Sequence, residues 1–364
     1  MRLLIITPLI PDPRREGAAY RLLKITRLIM DLGVEVTLLP LHRKFKTIDE
    51  DTLSDRNAFW ASQGIIVPNP TNWESYVSNN QFEYYWYDSF LGANIAIDFI
   101  KRLRADAKHI FDTVDLGHVR EFREAKLTGK QKLLLKAIAT KKTEVDRANQ
   151  ADVTLVVSEQ ECATLKSLAP NASILVLPNI HELADEIPSY ESRVGVGIIG
   201  SYHHGPNVDA VRWLCEEIWP RCVELSPDLN LSIIGSGPLD EESIASTNNC
   251  KRVGYIEDLP AYLQRLRLTV APLRYGAGIK GKVLESIAKG TPVVGTDIAS
   301  EGLNLDSGDG ILVANTTNTI ANFIVRLHQE KDLWERTAMR GHQKLRHQFT
   351  QDHCKQTLLR IFDR

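Results

Sequence analysis

Arg274, Lys280 and Lys282 place three cations in one short stretch, Ala271-Pro-Leu-Arg-Tyr-Gly-Ala-Gly-Ile-Lys-Gly-Lys-Val-Leu-Glu285. An apolar run ending at Pro272 predicts a strand. The Gly-rich turn with Gly276, Gly278 and Ile279 predicts a loop, and a helix is expected from about Lys280. Glycines let a backbone come close to a ligand, and a helix N-terminus offers free N–H groups and a dipole that favours an anion. Helix N-termini prefer acids, so cations gathered there conflict with the dipole until an anion arrives. Glu285 lies about one turn further on, where its carboxylate could accept two hydrogen bonds from a ribose diol while phosphates occupy the helix tip. A surface loop with solvated lysines and a Glu–Lys helix pair is the plainer alternative.

The elements that must hold this segment alternate between short apolar strands and amphipathic helices. In the first half, strands are expected at Leu3–Thr7, Val34–Leu39, Ile65–Val67, Tyr84–Tyr87, His109–Phe111 and Val153–Val157, with a helix from Ala18 to Leu32 stopped by Gly33. The pattern pauses at Leu177-Pro-Asn-Ile-His-Glu and restarts at Val194–Ile199, which ends in Gly200-Ser201. Further strands are expected at Leu231–Ile234, Leu268–Ala271, Pro292–Val294 and Ile311–Val313. Helices are expected over Asn207–Leu225, Glu257–Leu266, Gly281–Lys289 and Thr317–Leu327. Continuous apolar strands between helices imply parallel sheets covered on both faces, hence two doubly wound α/β domains facing a cleft, with ligands at the carboxyl ends of the strands. The expected domains are 1–180 and 190–350, with a C-terminal helix at about 350–364 packing back on the first.

Composition narrows the function. A chain of 364 residues suits two domains, and 43% hydrophobic with 25% charged residues is an ordinary globular balance. A net charge of −2 gives no reason to expect nucleic acid as a partner. Five scattered cysteines without a Cys-x-x-Cys pair argue for a reducing compartment and against a zinc site. The adjacent His203 and His204 lack a third ligand, so no metal is expected. The apolar run at the N-terminus is broken by Pro8, Pro11 and Pro13, and no stretch approaches the ~20 apolar residues of a membrane span. A cytoplasmic location follows, with a peripheral position at the inner face of a membrane as the variant. The variant comes from the lysine-rich stretch Lys126–Arg147, which either rests on an anionic membrane or packs on the sheet with a basic outer face.

The stretch Gly276–Glu285 resembles the Gly-x-Gly-x-Lys-x-Lys-x-x-Glu donor segment of the GT-B glycosyltransferases, in particular the large retaining family 4 (glycosyl transferases group 1). The likeness extends over Gly200-Ser-Tyr-His-His-Gly-Pro-Asn207, Gly235-Ser-Gly237, Gly254-Tyr-Ile-Glu-Asp-Leu259 and Ser300-Glu-Gly-Leu303. It covers the second half almost throughout and the first half loosely. The resemblance implies Glu285 on the donor ribose, and Lys280, Lys282 and Arg274 on the diphosphate. It also implies Tyr255 and Ile256 at the nucleotide base, and Gly200, Ser201, Gly276, Gly278 and Ile279 lining the donor. Many relatives carry a second glutamate where this chain has Ala277, which leaves the sugar open. The donor is a nucleotide-diphosphate sugar used as co-substrate, UDP before other bases, with no resident cofactor.

In the first half, Phe111-Asp-Thr-Val-Asp-Leu-Gly-His-Val-Arg-Glu121 follows a strand, and the resemblance makes His118 a contact of the donor sugar. Asp112 and Asp115 either position it or bind an acceptor hydroxyl. Read from the residues alone, Asp115 is equally a helix N-cap with His118 at N3. In Pro11-Asp-Pro-Arg-Arg-Glu-Gly-Ala-Ala19, Gly17 is expected to allow close backbone approach to the donor, while Arg14 and Arg15 either attract phosphate or lie in a solvated turn. The expected activity is sugar transfer to a hydroxyl on a glycan, a lipid-linked acceptor or a small molecule, with retained configuration. A sugar-nucleotide epimerase and a non-catalytic scaffold of the same fold are the alternatives.

Overall fold

The computed structural model describes residues 1–41, 49–245, 247–346 and 348–362; the last two positions expected in the C-terminal helix therefore lie outside them. Two compact units divide the chain. Unit 1 comprises 1–125, 130–178 and 351–364, and unit 2 comprises 126–129 and 179–350.

Unit 1 is built on a parallel sheet with strands β1 (Arg2–Thr7), β2 (Glu35–Pro40), β3 (Tyr84–Asp88), β4 (Lys108–Asp112), β5 (Val153–Val156) and β6 (Ile174–Val176), in the order β2-β1-β3-β4-β5-β6. Leu3, Leu4, Ile5 and Ile6 are all buried, as a strand covered on both faces requires. The expected strand at Ile65–Val67 shrinks to one bridge, Thr37 to Ile66. The turn at Gly64 (φ 79°) enters it directly, and Pro68 offers no N–H to continue a ladder. The helix Gly17–Asp31 ends at Gly33, whose φ of 75° suits glycine. The helix Gln351–Ile361 belongs to this unit. Thr357 Oγ1 donates to Val176 O at 3.2 Å, and Lys108 Nζ donates to Ile361 O at 2.8 Å.

In the helix Gln131–Gln150, Leu134, Leu135 and Ile138 are 41%, 60% and 53% exposed. The buried row is Ala137, Thr140, Glu144 and Ala148 instead. No helix among the described residues is long and apolar enough to cross a membrane.

Unit 2 repeats the plan with β7 (Val194–Ile199), β8 (Leu231–Ile234), β9 (Cys250–Gly254), β10 (Leu266–Ala271), β11 (Val293–Gly295) and β12 (Ile311–Val313), in the order β12-β11-β10-β7-β8-β9. The strand order reverses between β7 and β10, as it does between β1 and β3 in unit 1. The expected helix over Asn207–Leu225 runs through Gly205–Trp213, a π turn at Leu214–Ile218 and Trp219–Leu225. Pro220 cannot donate the regular backbone bond, and the widened turn just before it absorbs the mismatch. The expected helix over Glu257–Leu266 is only Leu259–Leu263, capped by Asp258, because Leu266 already belongs to β10.

Candidate active site

In unit 2, β7 and β10 are neighbours, so the loops leaving them lie side by side at the switch point. The loop after β10 reaches the helix Gly281–Ala288 through Gly276 and Gly278, the latter at φ 66°, where a larger residue would be strained. Lys280 is the N-cap residue of that helix. It supplies no capping acceptor, and no acid occupies the first turn. The helix N-terminus thus has two lysines and no side-chain cap, an arrangement that favours an anion.

Each cation is held by a protein group. Lys280, 9% exposed, donates to Gly278 O and lies 3.6 Å from Glu301 Oε2. Lys282 Nζ donates to Asn207 Oδ1 at 2.6 Å. Burial, and then the charge of Lys280, push the Lys282 ammonium down to about 7. Glu285 Oε2 accepts from His181 Nδ1 at 2.6 Å. Arg274 Nε and Nη2 bind Asp209, on the same helix as Asn207, at 2.9 and 2.5 Å, and its guanidinium lies over Trp213. The charge of Arg274 is thereby matched by a carboxylate, as that of Lys280 is by Glu301.

The loop after β7 is fixed by close packing. A β-carbon on Gly235 would come within 1.8 Å of Gly200 O, and one on Gly200 within 2.8 Å of the Asn207 side chain. Asn207 Nδ2 in turn donates to Ser201 O at 2.9 Å. Asn207 therefore ties the Gly200-Ser201 loop to Lys282. Ile279 packs at the margin of the main core, and Ile256 against a smaller cluster. Tyr255 is 43% exposed beside Gly254, whose carbonyl accepts from Gly235 N.

Unit 1 holds the remaining expected residues. His118 is 4% exposed, and its Nδ1 is bonded to the carboxylate of Glu144. Glu144 Oε1 also accepts from Gly117 N at 2.8 Å, and Glu161 accepts from Leu116 N at 3.1 Å. Two distant carboxylates thus cap the helix Gly117–Thr128. Asp115 does not cap it; it pairs with Arg120, and His118 is the second residue of the helix. A β-carbon at Gly117 would lie 3.2 Å from Glu144 Oε1, so glycine leaves room for this carboxylate. Asp112 is fully buried and bound by Arg21 Nη1 at 2.6 Å; such a group anchors the strand end and does not reach outward. Gly17 begins its helix in open space, so nothing in the structure requires glycine there. Arg14 is committed to Asp12 and Asp55.

The sequence reading missed His181, Glu301, Asn207, Glu144 and Asp88. Glu301 and Asn207 lie inside motifs that were recognised, but their roles depend on long-range pairing. Asp88, at the end of β3, is opposite Asp112 in the sheet register, and burial followed by that negative charge pushes its carboxyl up to about 7.

Comparison with known proteins bears most directly on the second unit. Residues 193–330 match the family model described as Glycosyl transferases group 1. An uncharacterized 44.6 kDa protein in the cps region of Klebsiella pneumoniae is 26% identical over 136 residues, which is 35% of this chain and 35% of that protein. The matched part is therefore about a third of that relative's length. The structure resembles sucrose-phosphate synthase from Thermosynechococcus elongatus, with TM-score 0.74, 13% identity, and 100% and 98% of the two chains covered. It also resembles the Anabaena protein HepE solved with UDP and glucose, with TM-score 0.75, 13% identity, and 100% and 99% covered. The chain thus has the two-domain α/β architecture of the GT-B glycosyltransferases, and its second unit carries the match to glycosyl transferases group 1.

Proposed function

We propose that the protein transfers a sugar from a nucleotide-diphosphate sugar, UDP before other bases, to a hydroxyl acceptor on a glycan, a lipid-linked carrier or a small molecule. The observation that carries this reading is the helix Gly281–Ala288. Its N-terminus lies at the switch point of unit 2 without an acid or a side-chain cap, with Lys280 and Lys282 beside it and Glu285 one turn along. A diphosphate relieves the mutual repulsion of the two lysines and complements the helix dipole. Glu285, oriented by His181, accepts from the ribose hydroxyls.

As the sugar–phosphate bond breaks, negative charge grows on the departing diphosphate. Fixed N–H groups and Lys280 stabilise that charge where it develops, without requiring a metal. The likeness in the donor segment supports retained configuration, with front-face attack and the donor phosphate accepting the acceptor proton. His118, held by Glu144, is assigned to the donor sugar. The epimerase alternative needs carboxylates free for proton transfer, and Asp112 and Asp115 are engaged by Arg21 and Arg120.

Titration calorimetry with UDP and GDP, followed by a thermal-shift series over nucleotide sugars, tests the proposal. Binding of one nucleotide with release of its sugar to an acceptor is the expected result. Folded protein that binds neither nucleotide would leave a scaffold role, and formation of an epimer without acceptor would leave an isomerase.

A further inference from the structure

We infer that Cys215 and Cys250 form a peroxide-reactive thiol pair in unit 2, able to close to a disulfide. Cys215 lies in the π turn Leu214–Ile218, and Cys250 is the first residue of β9. Several contacts bring these elements together. Trp219 Nε1 donates to Asn248 O at 2.8 Å, which fixes the approach to β9 against the turn. Cys250 also packs against the core cluster that contains Cys215, and its thiol donates to the Cys215 sulfur. Sulfurs already in hydrogen-bond contact need only a short further approach to the ~2.05 Å of a disulfide. Such a bond would staple an edge strand that leads into the Gly254-Tyr255-Ile256 turn.

The two thiols differ in character, and so in role. The Cys250 hydrogen bond favours the thiolate of Cys215; burial opposes it, and the Thr247 hydroxyl adds a second donor. The same bond, together with burial, pushes the Cys250 thiol up. Cys215 is therefore the nucleophile and Cys250 the resolving thiol. Cys222 and Cys354 face the carbonyls of Ala321 and Pro178 instead, and burial pushes both thiols up to about 12. Cys215 is 4% exposed, and with Thr247, Trp219, Val223, Glu216 and Glu224 it lines a surface cleft of about 590 Å³. The two glutamates disfavour an anionic oxidant, whereas a neutral hydroperoxide can enter. The Cys215 sulfur attacks one peroxide oxygen: an S–O bond forms, the O–O bond breaks, and the other oxygen leaves with the thiol proton as water or an alcohol. The Cys250 sulfur then attacks the sulfenic acid, forming the S–S bond and releasing water that carries its own proton. The peroxide takes the electron pair that the two thiols lose. In a reducing compartment the pair stays a dithiol until such an oxidant arrives.

Peptide mapping of the full chain under non-reducing conditions, before and after hydrogen peroxide, tests the inference. The expected product is a cross-linked peptide pair containing Cys215 and Cys250, which dithiothreitol separates. In Cys250→Ser, dimedone should trap a sulfenic acid on Cys215 at a level at least about tenfold above that on Cys222. In Cys215→Ser, Cys250 should stay unmodified at the same peroxide dose. Circular dichroism checks that both variants fold, and the wild-type map depends on neither of them. The inference is overturned if peroxide gives no Cys215–Cys250 cross-link in folded wild-type protein, or if the cross-link forms only in urea. It is also overturned if dimedone labels Cys222 as readily as Cys215.

Discussion

The two switch points of this protein are built alike and charged oppositely. In unit 2, the loops after β7 and β10 present glycines, Lys280 and Lys282; in unit 1, the end of β3 presents Asp88, with Asp112 opposite it on the neighbouring β4. At each, burial and a like-charged neighbour push one group towards neutrality: the Lys282 ammonium down to about 7 and the Asp88 carboxyl up to about 7. The relief differs. Unit 1 has a partner built in, since Arg21 binds Asp112 at 2.6 Å and also donates to Leu177 O at 2.8 Å. In unit 2, Glu301 stands 3.6 Å from Lys280, Lys282 donates to the neutral Asn207 amide, and the helix N-terminus has no side-chain cap. The same fold thus makes one switch point internally satisfied and leaves the other poised for a ligand.

Four measurements would break or sharpen that contrast. Arg21→Met should cost most, because it strands Asp112 fully buried beside Asp88; a loss of ~3–5 kcal/mol in urea unfolding is expected. A loss comparable to that of an exposed ion pair would show that unit 1 does not depend on its internal partner. Lys280→Ala should leave the fold intact and lower turnover ~100–1000-fold, the scale set by removing one group that stabilises a developing anion. Undiminished turnover would remove the leaving-group role. Glu285→Ala should weaken nucleotide-sugar binding by ~1.5–3 kcal/mol through lost ribose hydrogen bonds, whereas Glu144→Gln in unit 1 should leave nucleotide affinity near wild type. Equal effects of the two would erase the division of labour.

The smallest effect is in pH. Lys282 has a folded pKa below its unfolded value, so its contribution to stability is lost as pH falls from about 10.5 to about 7. Asp88 has a folded pKa above its unfolded value, so its contribution is lost as pH rises from about 3.8 through about 7. An anion that favours charged Lys282 takes up a proton on binding, and UDP affinity should decline by at most ~10-fold per pH unit above about 7. Calorimetry in buffers of different ionisation enthalpy detects this uptake; its absence would place the diphosphate away from Lys282.

Much of the fold was legible because buried parallel strands are continuous apolar runs. Leu3–Thr7, Leu268–Ala271 and Ile311–Val313 fall within one or two residues of β1, β10 and β12. Two of the four edge strands, β6 and β9, were not. β9 reads Cys-Lys-Arg-Val-Gly and β6 has three residues, and neither carries the period of a half-buried strand. The polar partners were hidden for a different reason. His181 meets Glu285 across 104 positions and Glu144 meets His118 across 26, separations over which local pattern carries no information. The packed face of Gln131–Gln150 was not legible because apolar residues signal burial only on average, and here the buried row is Ala137, Thr140, Glu144 and Ala148.

The amino-acid order alone determined that two doubly wound units would form, and that a glycine-rich turn would deliver cations to a helix N-terminus. These follow from backbone freedom, apolar periodicity and the helix dipole, all of which act over a few residues. Only the tertiary structure decided which charges would be matched. It gave Arg274 to Asp209, Asp112 to Arg21, Glu285 to His181 and His118 to Glu144, while the helix that starts beside Lys280 and Lys282 received no side-chain cap. Pairing depends on distances set when separate strands and helices pack together, and desolvation makes its energy depend on how deeply each pair is buried.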